Sequence, residues 1–318
     1  MSDNKRKPLR LTLLLGTALL FFTIPPRLKR SERPMLTFPN VKINLGLNVV
    51  SRRPDGYHNI ESIFCPVALT DVLEIAVPTD QQTDVSLVQS GRDCGVTDIE
   101  KNLCVKAYRA LAQSLKDWGH TAKLPHVAMA LHKVVPTGAG LGGGSSDATM
   151  VISQLNALLH LGLTADQMRA VAVKVGADCP FFVDNRTAYV SGIGDQLEPF
   201  DVSQLSGLKI VIVKPDVFVS TKEAYAGIVP QHPTQNVRDI VRMPFEVWRN
   251  ELRNDFEPSV MAKCPIVAEV KDRLYNLGAT YAQMSGSGAS VFGLFKPSDP
   301  LPSAADFPNM FFWQGELN

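Results

Sequence analysis

Apolar residues stand at every second position from Val41 to Val50, which predicts a strand with one buried face. Apolar runs at 60–69 and 72–77 predict two further strands, and the residues Arg53-Pro-Asp-Gly56 between the first two have the composition of a turn. Residues 78–96 are polar and irregular, so we expect a connection without regular structure there.

Helical spacing of apolar residues begins at about Asp98 and predicts a helix to Trp118, with Thr97 and Glu100 as its capping box. A second capping box, Thr164 with Gln167, opens another predicted helix. The remaining expected elements are strands at 127–135, 183–190 and 209–213 and helices at 164–175, 220–229, 245–256 and 265–277. Since strands and helices mix without strict alternation, the pattern favours an α+β fold over a doubly wound sheet.

Five glycines fall between 136 and 146, where the predicted strand at 127–135 runs into a loop and a helix follows. A loop without β-carbons lets backbone N–H groups approach an anion, and a helix that starts behind it adds free N–H groups and a positive dipole end. We therefore expect phosphate binding. A flexible hinge is the other interpretation, but a hinge has no reason to lie between a strand and an amphipathic helix.

Two other phosphate-binding loops are possible rivals. A Walker A loop requires a lysine directly after its glycines, and none follows here. Residues 138–143 do match G-x-G-x-x-G, but the helix behind them leads through His160 into a second helix and not into the acidic-ended strand of a Rossmann unit. A dehydrogenase is therefore a poor second interpretation.

Length and composition exclude several classes of function. The chain has 318 residues, 45% of them hydrophobic, which suits one large or two moderate domains. With 32 basic and 31 acidic residues there is no basic excess to attract nucleic acid. Five cysteines without CxxC spacing, and histidines without an HExxH pattern, argue against disulfides and zinc and suit the reducing cytoplasm.

Residues 1–34 differ from the rest. Basic residues precede an apolar run from Leu11 to Ile24, which resembles a signal peptide or an anchor, yet the run is shorter than the roughly 20 residues of a membrane span. We expect an extension outside the fold, with Met35 as the functional start. The alternative is a membrane-anchored nucleotide-binding protein without catalysis.

Four segments together resemble the GHMP kinase superfamily. They are the loop through Gly140-Leu-Gly-Gly-Gly-Ser-Ser-Asp-Ala148, Lys42-Ile-Asn44-Leu with Arg53-Pro-Asp-Gly-Tyr-His58, Gly176-Ala-Asp-Cys-Pro180, and Met284-Ser-Gly-Ser-Gly-Ala-Ser-Val-Phe292. The resemblance implies a two-domain α+β fold with the active site in the cleft between domains 35–190 and 191–318. The three glycines before the serines resemble the branch that phosphorylates a cytidine diphosphate-linked alcohol. Homoserine or mevalonate as acceptor is the nearest alternative, and the segment 55–58 argues against it.

The resemblance also implies a role for each matching residue. Asp178 would be the general base, and Lys42 would keep it ionised and stabilise the developing alkoxide. The substrate-binding residues would be Asn44, Tyr57, His58, Lys133 and Tyr225, with the cytosine ring between the two tyrosines. The ATP-binding residues would be Pro136, Thr137, Gly138, Ala139, Gly140, Leu141, Gly142, Gly143, Gly144, Ser145, Ser146, Gly286, Ser287 and Gly288.

Without the resemblance, Asp178 would be interpreted as capping the turn before Pro180 and Lys42 as a solvated strand residue. Val41 stands where the superfamily often has alanine. ATP and Mg²⁺ are the expected cofactors, and the Mg²⁺ ligands are unknown, with Ser146 only a candidate. We expect a small-molecule substrate, no nucleic-acid or membrane partner for the core, a monomer or weak homodimer, and a cytoplasmic location.

Overall fold

The computed structural model describes residues 10–15, 18–23, 34–78, 84–92, 98–120 and 123–317. Its strands are β1 Arg10–Leu15, β2 Ala18–Thr23, β3 Met35–Thr37, β4 Asn40–Arg52, β5 His58–Thr70, β6 Val72–Ala76, β7 Val85–Gly91, β8 Val127–Lys133, β9 Ala188–Ser191, β10 Gln196–Pro199, β11 Lys209–Lys214, β12 Tyr281–Met284, β13 Val291–Phe295 and β14 Phe311–Glu316. Its helices are α1 Leu103–Asp117, α2 Gly143–Leu158, α3 Ala165–Ala172, α4 Phe181–Asp184, α5 Thr221–Ala226, α6 Val237–Ile240, α7 Phe245–Glu251, α8 Glu257–Lys263 and α9 Pro265–Asn276.

Three four-stranded sheets carry the fold, in the orders β10-β9-β5-β4, β12-β13-β11-β14 and β3-β6-β8-β7. Neighbouring strands are antiparallel except β7 and β8, which are parallel. Helices α1, α2 and α3 pack on the third sheet through one hydrophobic cluster, and β4 and β5 share a second cluster with strands β11, β12 and β13. The predicted α+β class is confirmed.

The apolar run at 11–24, which resembles an anchor, contains β1 and β2, and these pair antiparallel as a separate two-stranded sheet. No helix in the described part of the chain is long and apolar enough to cross a membrane. The division of the fold at residue 190 stays a prediction. The proposed boundary falls inside β9, which pairs with β10 on its C-terminal side in one sheet.

The sequence-based prediction lacks five edge strands of the four-stranded sheets, β3, β7, β10, β12 and β14, of which β7 and β14 are the longest. Residues 78–96 were expected to be irregular, but they contain β7, and β14 was not expected either. Both lie at the edge of their sheets, where most side chains are exposed or half-buried. Because an edge strand buries little of either face, its sequence carries a weak hydrophobic pattern.

Three predicted boundaries are also wrong. The helix expected from Asp98 begins at Leu103, where the Asn102 side chain accepts from the N–H of Cys104, and a short 3₁₀ turn precedes it. Thr97 of the proposed capping box lies outside the described residues. The strand expected at 183–190 is the helical turn α4 followed by β9.

The helix expected at 245–256 ends as α7 at Glu251. Tertiary pairing overrides the helical pattern beyond that point. Arg253 and Asp255 exchange backbone hydrogen bonds of 2.8 and 2.9 Å with Leu47 of β4. The segment around Asn254 therefore pairs in parallel with the strand that carries the first predicted motif.

We expect Leu111→Ala to lower the free energy of unfolding by about 2–5 kcal/mol, because Leu111 of α1 is fully buried in the cluster between the helices and the third sheet. Lys106→Ala on the exposed face of the same helix is the matched control and should change it by less than about 0.5 kcal/mol. Urea denaturation measures both, and equal losses would contradict the assignment of the buried face.

Candidate active site

A cavity of about 630 Å³ lies where the predicted motifs meet. Lys42 of β4, Asp178, residues 136–145 and Gly286-Ser287 line it together with Tyr57 and Tyr225. These segments are distant in the sequence, so the fold brings most of the predicted catalytic, donor-binding and acceptor-binding residues to one place. His58, Ser146 and Gly288 are not among the residues that line the cavity.

In the glycine loop, residues 136–146, glycines with positive φ alternate with buried apolar residues. Ala139 and Leu141 point into the hydrophobic core and are nearly inaccessible, whereas the glycines on either side of them have φ between +61° and +73°. At Gly140 a β-carbon would lie 2.0 Å from the carbonyl oxygen of Ser285. The side chains of Ala139 and Leu141 thus anchor the loop to the core, and the backbone of the glycines faces the cavity.

Helix α2 begins inside this loop, at Gly143. The first N–H groups of a helix have no partner within the helix, and the positive end of its dipole lies beside them. Here these groups belong to Gly143, Gly144 and Ser145, which line the cavity. Ser146 follows one residue deeper, and its side chain is buried. The arrangement suits an anionic phosphate chain laid along the loop.

Lys42 and Asp178 form an ion pair with 3.4 Å between Lys42 Nζ and Asp178 Oδ2. The exposure of the two partners differs, because the lysine side chain is 3% exposed and the aspartate 33%. The backbone N–H of Lys42 also donates to the Leu141 carbonyl, with 2.9 Å between the atoms. The carboxylate is therefore open to a ligand, while the ammonium stands behind it and is tied to the glycine loop.

Neutral groups surround the rest of the Lys42 ammonium. Its Nζ donates to Asn44 Oδ1 at 2.6 Å and lies 4.2 Å from the centre of the Phe64 ring. Asn44 Nδ2 in turn donates to Ser62 Oγ at 3.0 Å. Burial lowers the pKa of Lys42, and Asp178 opposes that shift. Asn44 itself is fully buried, so its observed partners are Lys42 and Ser62, and its expected contact with substrate stays a prediction.

Two of the predicted base-binding residues, His58 and Tyr225, form an aromatic cluster with Phe256 beside the cavity. The rings of His58 and Tyr225 stack with centroids 4.7 Å apart, and Phe256 meets Tyr225 edge to face at 4.8 Å. Tyr57 is 60% exposed at the cavity wall. Partial burial, with the charge of Arg52, lowers the pKa of His58, so its ring is neutral near pH 7 and keeps an acceptor nitrogen. The histidine, not Tyr57, is the ring that covers Tyr225 here.

Lys133 lines the cavity wall but is only 5% exposed. Its ammonium is paired with the carboxylates of Asp71 and Asp147. Its predicted role as a substrate ligand stays a prediction, and the contacts that the structure gives it are to these two aspartates. Within the described ranges there is no group of three or more histidine, cysteine, aspartate and glutamate side chains that could hold a metal ion.

The sequence pattern did not single out several residues that shape this site. Ser62 supports Asn44, Ser285 Oγ donates to the Gly140 carbonyl at 2.8 Å, and Asn254 Nδ2 donates to the carbonyls of Met284 and Gly286, each at 2.8 Å. Serine and asparagine have no diagnostic spacing when they act as supports. Asp71 is different, because a lone charge between two apolar runs was a visible signal.

Comparisons with known proteins agree with this geometry. The family described as GHMP kinases N terminal domain matches residues 102–186, and GHMP kinases C terminal matches residues 237–309. A 4-diphosphocytidyl-2-C-methyl-D-erythritol kinase of Bacteroides fragilis is 46% identical over 283 residues, which cover 89% of this chain and 100% of that protein. The kinase of the same name from Pelodictyon phaeoclathratiforme is 37% identical and covers 85% of this chain and 92% of its own length.

Solved structures are similar as well. A crystal structure of 4-(cytidine 5'-diphospho)-2C-methyl-D-erythritol kinase superposes with a TM-score of 0.70 at 31% identity, covering 88% of this chain and 98% of that one. Homoserine kinase from Cytophaga hutchinsonii gives a TM-score of 0.58 at 17% identity, covering 88% and 95%. The second likeness concerns the fold alone.

We expect Gly140→Ala to weaken ATP binding about tenfold or more, because the new methyl group would meet the Ser285 carbonyl and displace the loop. Gly278→Ala is the matched control, since Gly278 has φ +98° and no atom within 4 Å of an added β-carbon. Titration calorimetry with ATP measures both variants. Equal ATP affinities would mean that the close approach at Gly140 does not shape the binding site.

Proposed function

The chain belongs to the GHMP kinase family, and within it to the 4-diphosphocytidyl-2-C-methyl-D-erythritol kinases, and from this premise we propose its reaction. It transfers the γ-phosphoryl group of ATP to the 2-hydroxyl of 4-diphosphocytidyl-2-C-methyl-D-erythritol, a step of the non-mevalonate route to isoprenoid precursors. The predicted family and fold are confirmed. The proposal rests above all on the Asp178 carboxylate, which is a third exposed and faces the cavity that the glycine loop lines.

Asp178 takes the proton of the acceptor hydroxyl in this reaction. The hydroxyl oxygen forms a bond to the γ-phosphorus, the bond from that phosphorus to the bridging oxygen breaks, and ADP leaves with the electron pair. An alcohol is a weak nucleophile at neutral pH, so a carboxylate within hydrogen-bond reach contributes to the rate. The exposure of Asp178 and its place on the cavity wall support this role.

Lys42 orients Asp178 and places a positive charge beside its carboxylate. The ammonium is 3.4 Å from the carboxylate and is itself held by Asn44. Because the lysine is buried, its field at Asp178 is less screened by water than that of a surface charge. Asn44 acts through Lys42 and is a positioning residue in this proposal.

The glycine loop binds the phosphates of ATP, which the kinase family implies as the phosphoryl donor. Phosphoryl transfer demands mainly positioning and neutralisation of charge. The amides at the start of α2 and its dipole supply part of both. The reactant oxygen of the acceptor then lies between these amides and Asp178.

Mg²⁺ accompanies ATP in this proposal. The carboxylates on the cavity wall are Asp178 and Asp147, and the described residues offer no three-ligand cluster. So few protein ligands fit Mg²⁺, because this ion usually keeps several water ligands and takes the rest from one or two carboxylates and from substrate phosphates. When bound, the ion neutralises charge on the β- and γ-phosphates. Ser146 as a ligand stays a prediction, and its buried side chain does not line the cavity.

The aromatic cluster receives the cytosine ring of the acceptor. Tyr225 is braced by Phe256, and the neutral ring of His58 offers a hydrogen-bonding nitrogen for the edge of the base. Homoserine and mevalonate have no base, so a cluster of this kind favours the cytidyl substrate over the acceptors of other GHMP kinases. A monomer or weak homodimer in the cytoplasm stays a prediction.

We expect Asp178→Asn to lower kcat by about 10²–10⁴-fold, because the amide cannot accept the hydroxyl proton. ATP affinity should change little, since the glycine loop is intact. The matched control is Asp184→Asn, which alters an aspartate of similar exposure that pairs with Arg169 outside the cavity. ADP release with ATP, Mg²⁺ and the cytidyl substrate measures kcat. Undiminished turnover by Asp178→Asn would contradict the assignment of the base, and turnover by wild type with mevalonate or homoserine alone would contradict the substrate.

We expect CMP to compete with the acceptor, and Tyr225→Ala to raise the KM for the cytidyl substrate about five- to 150-fold, as the loss of one stacking ring implies. Tyr225→Phe keeps the ring and is the control, with a KM close to wild type. Initial rates over a range of acceptor and CMP concentrations give both constants. The absence of inhibition by CMP would argue against a cytosine subsite.

A further inference from the structure

The glycine loop is held at both ends by one buried cluster of three charges. We propose that Asp71, Lys133 and Asp147 are positioning residues that fix the loop in its ATP-binding conformation. This inference rests on the proposed function only in assuming that the loop binds ATP, and it assigns to Lys133 a role different from substrate binding.

Asp71 holds the entry to the loop. It lies between β5 and β6 and is fully buried. Its Oδ1 accepts from the N–H of Val134 at 2.6 Å and from the N–H of Val135 at 2.9 Å. These are the two residues between the end of β8 and Pro136, so one carboxylate oxygen fixes the direction in which the chain enters the loop.

Lys133 connects this entry to the exit. It is the last residue of β8, and its Nζ is bonded to Asp71 Oδ2 and, at 2.7 Å, to Asp147 Oδ2. Asp147 belongs to the first turns of α2, just behind the amides that face the cavity. One ammonium therefore links the strand before the loop with the helix after it, and the loop between them has little freedom to change its span.

The charges of the cluster argue against direct phosphate binding by Lys133. Two carboxylates surround one ammonium, and burial leaves the lysine 5% exposed. Burial, against the opposing charge of Lys133, raises the pKa of Asp147 to about 7. The groups that face Asp147 are Lys133, Asp71 and the thiol of Cys104. A cluster with no positive excess does not attract ATP, so its contribution to binding is geometric.

Stability alone is a weak explanation for such a cluster. Buried ion pairs cost much desolvation, and apolar side chains of similar volume often give equal or greater stability. What an ion cluster adds over an apolar one is a defined arrangement of the groups it joins. Preorganisation of a binding loop removes part of the entropy cost of binding, which makes ATP affinity the quantity that should respond.

The decisive comparison is between two substitutions of Asp71. Asp71→Asn keeps an oxygen for the amides of Val134 and Val135, whereas Asp71→Ala removes it. We expect Asp71→Ala to raise the dissociation constant and the KM of ATP about tenfold or more, and Asp71→Asn to restore the ATP dissociation constant to within about threefold of wild type. Affinity for CMP, which binds away from the loop, should stay within about twofold in both. Calorimetric titration with each nucleotide and the melting temperature measure these effects.

Asp184→Ala is the matched control, because Asp184 is one of two aspartates that pair with Arg169 in an ion cluster outside the cavity. It should leave ATP affinity unchanged. If Asp71→Ala does not fold, Lys133→Met tests the proposal instead. Methionine keeps most of the length of the side chain but removes the ammonium that links the two ends of the loop. We expect this substitution to raise the ATP dissociation constant about fivefold or more.

Three results would overturn the proposal. They are unchanged ATP affinity in a folded Asp71→Ala or Lys133→Met protein, equal losses for ATP and CMP, and failure of Asp71→Asn to restore ATP binding relative to Asp71→Ala. Failure of the proposed function looks different. A wild-type protein that binds ATP but does not phosphorylate the cytidyl alcohol would remove that function and leave the role of the cluster open to the same titrations.

Discussion

The backbone of Gly140 lies against the carbonyl of Ser285 with no space for a side chain between them. This contact joins the loop of the first half of the chain to a loop of the second half, and Ser285 Oγ reinforces it with a hydrogen bond to the Gly140 carbonyl. The contact fixes how closely the glycine loop approaches the loop at Ser285, and Ala139 and Leu141 on either side of Gly140 are buried. The Leu141 carbonyl accepts from the Lys42 N–H, so the same loop is also bonded to strand β4.

Two buried lysines meet the cost of desolvation in opposite ways. Lys42 has one carboxylate, which is partly in water, and otherwise neutral partners, so burial lowers its pKa. Burial alone would also lower the pKa of Lys133, but Asp147 and Asp71 together raise it. Lys133 is therefore a fixed cation that can serve as a structural link. Lys42 is a less stable cation, and its charge is directed at Asp178, whose side chain is 33% exposed.

The sequence predicted the elements whose own residues determine them. The alternation of β4, the capping box of α3 and the glycines of the loop are local features, and each appears where expected. It also paired Lys42 with Asp178, although only through resemblance, because the 3.4 Å between them results from the packing of distant segments. An edge strand such as β7 was not predictable, since most of its side chains are exposed or half-buried and its hydrophobic pattern is weak.

The residues that hydrogen-bond to the site from behind, such as Asn254 and Asp71, were the hardest part to predict. Helical spacing continues through residues 245–256, yet Asn254 lies outside the helix because its backbone segment pairs with β4. A propensity argument considers neighbours along the chain, and here the competing partner, Leu47, is about two hundred positions away. Asp71 was the one support with a local signal, and only its tertiary contacts reveal what the charge is for.

The segment 252–256, where the predicted helix is interrupted, also connects the two proposed ligand subsites. Asn254 Nδ2 donates to the carbonyls of Met284 and Gly286, in the segment that packs against the glycine loop. Two residues later, Phe256 braces Tyr225 in the proposed cytosine site. The proposed sites of donor and acceptor thus share one short stretch of backbone, which is itself hydrogen-bonded to the strand that carries Lys42. In-line phosphoryl transfer tolerates little error between its two reactants, and a shared support limits that error without requiring the two halves of the site to be placed independently.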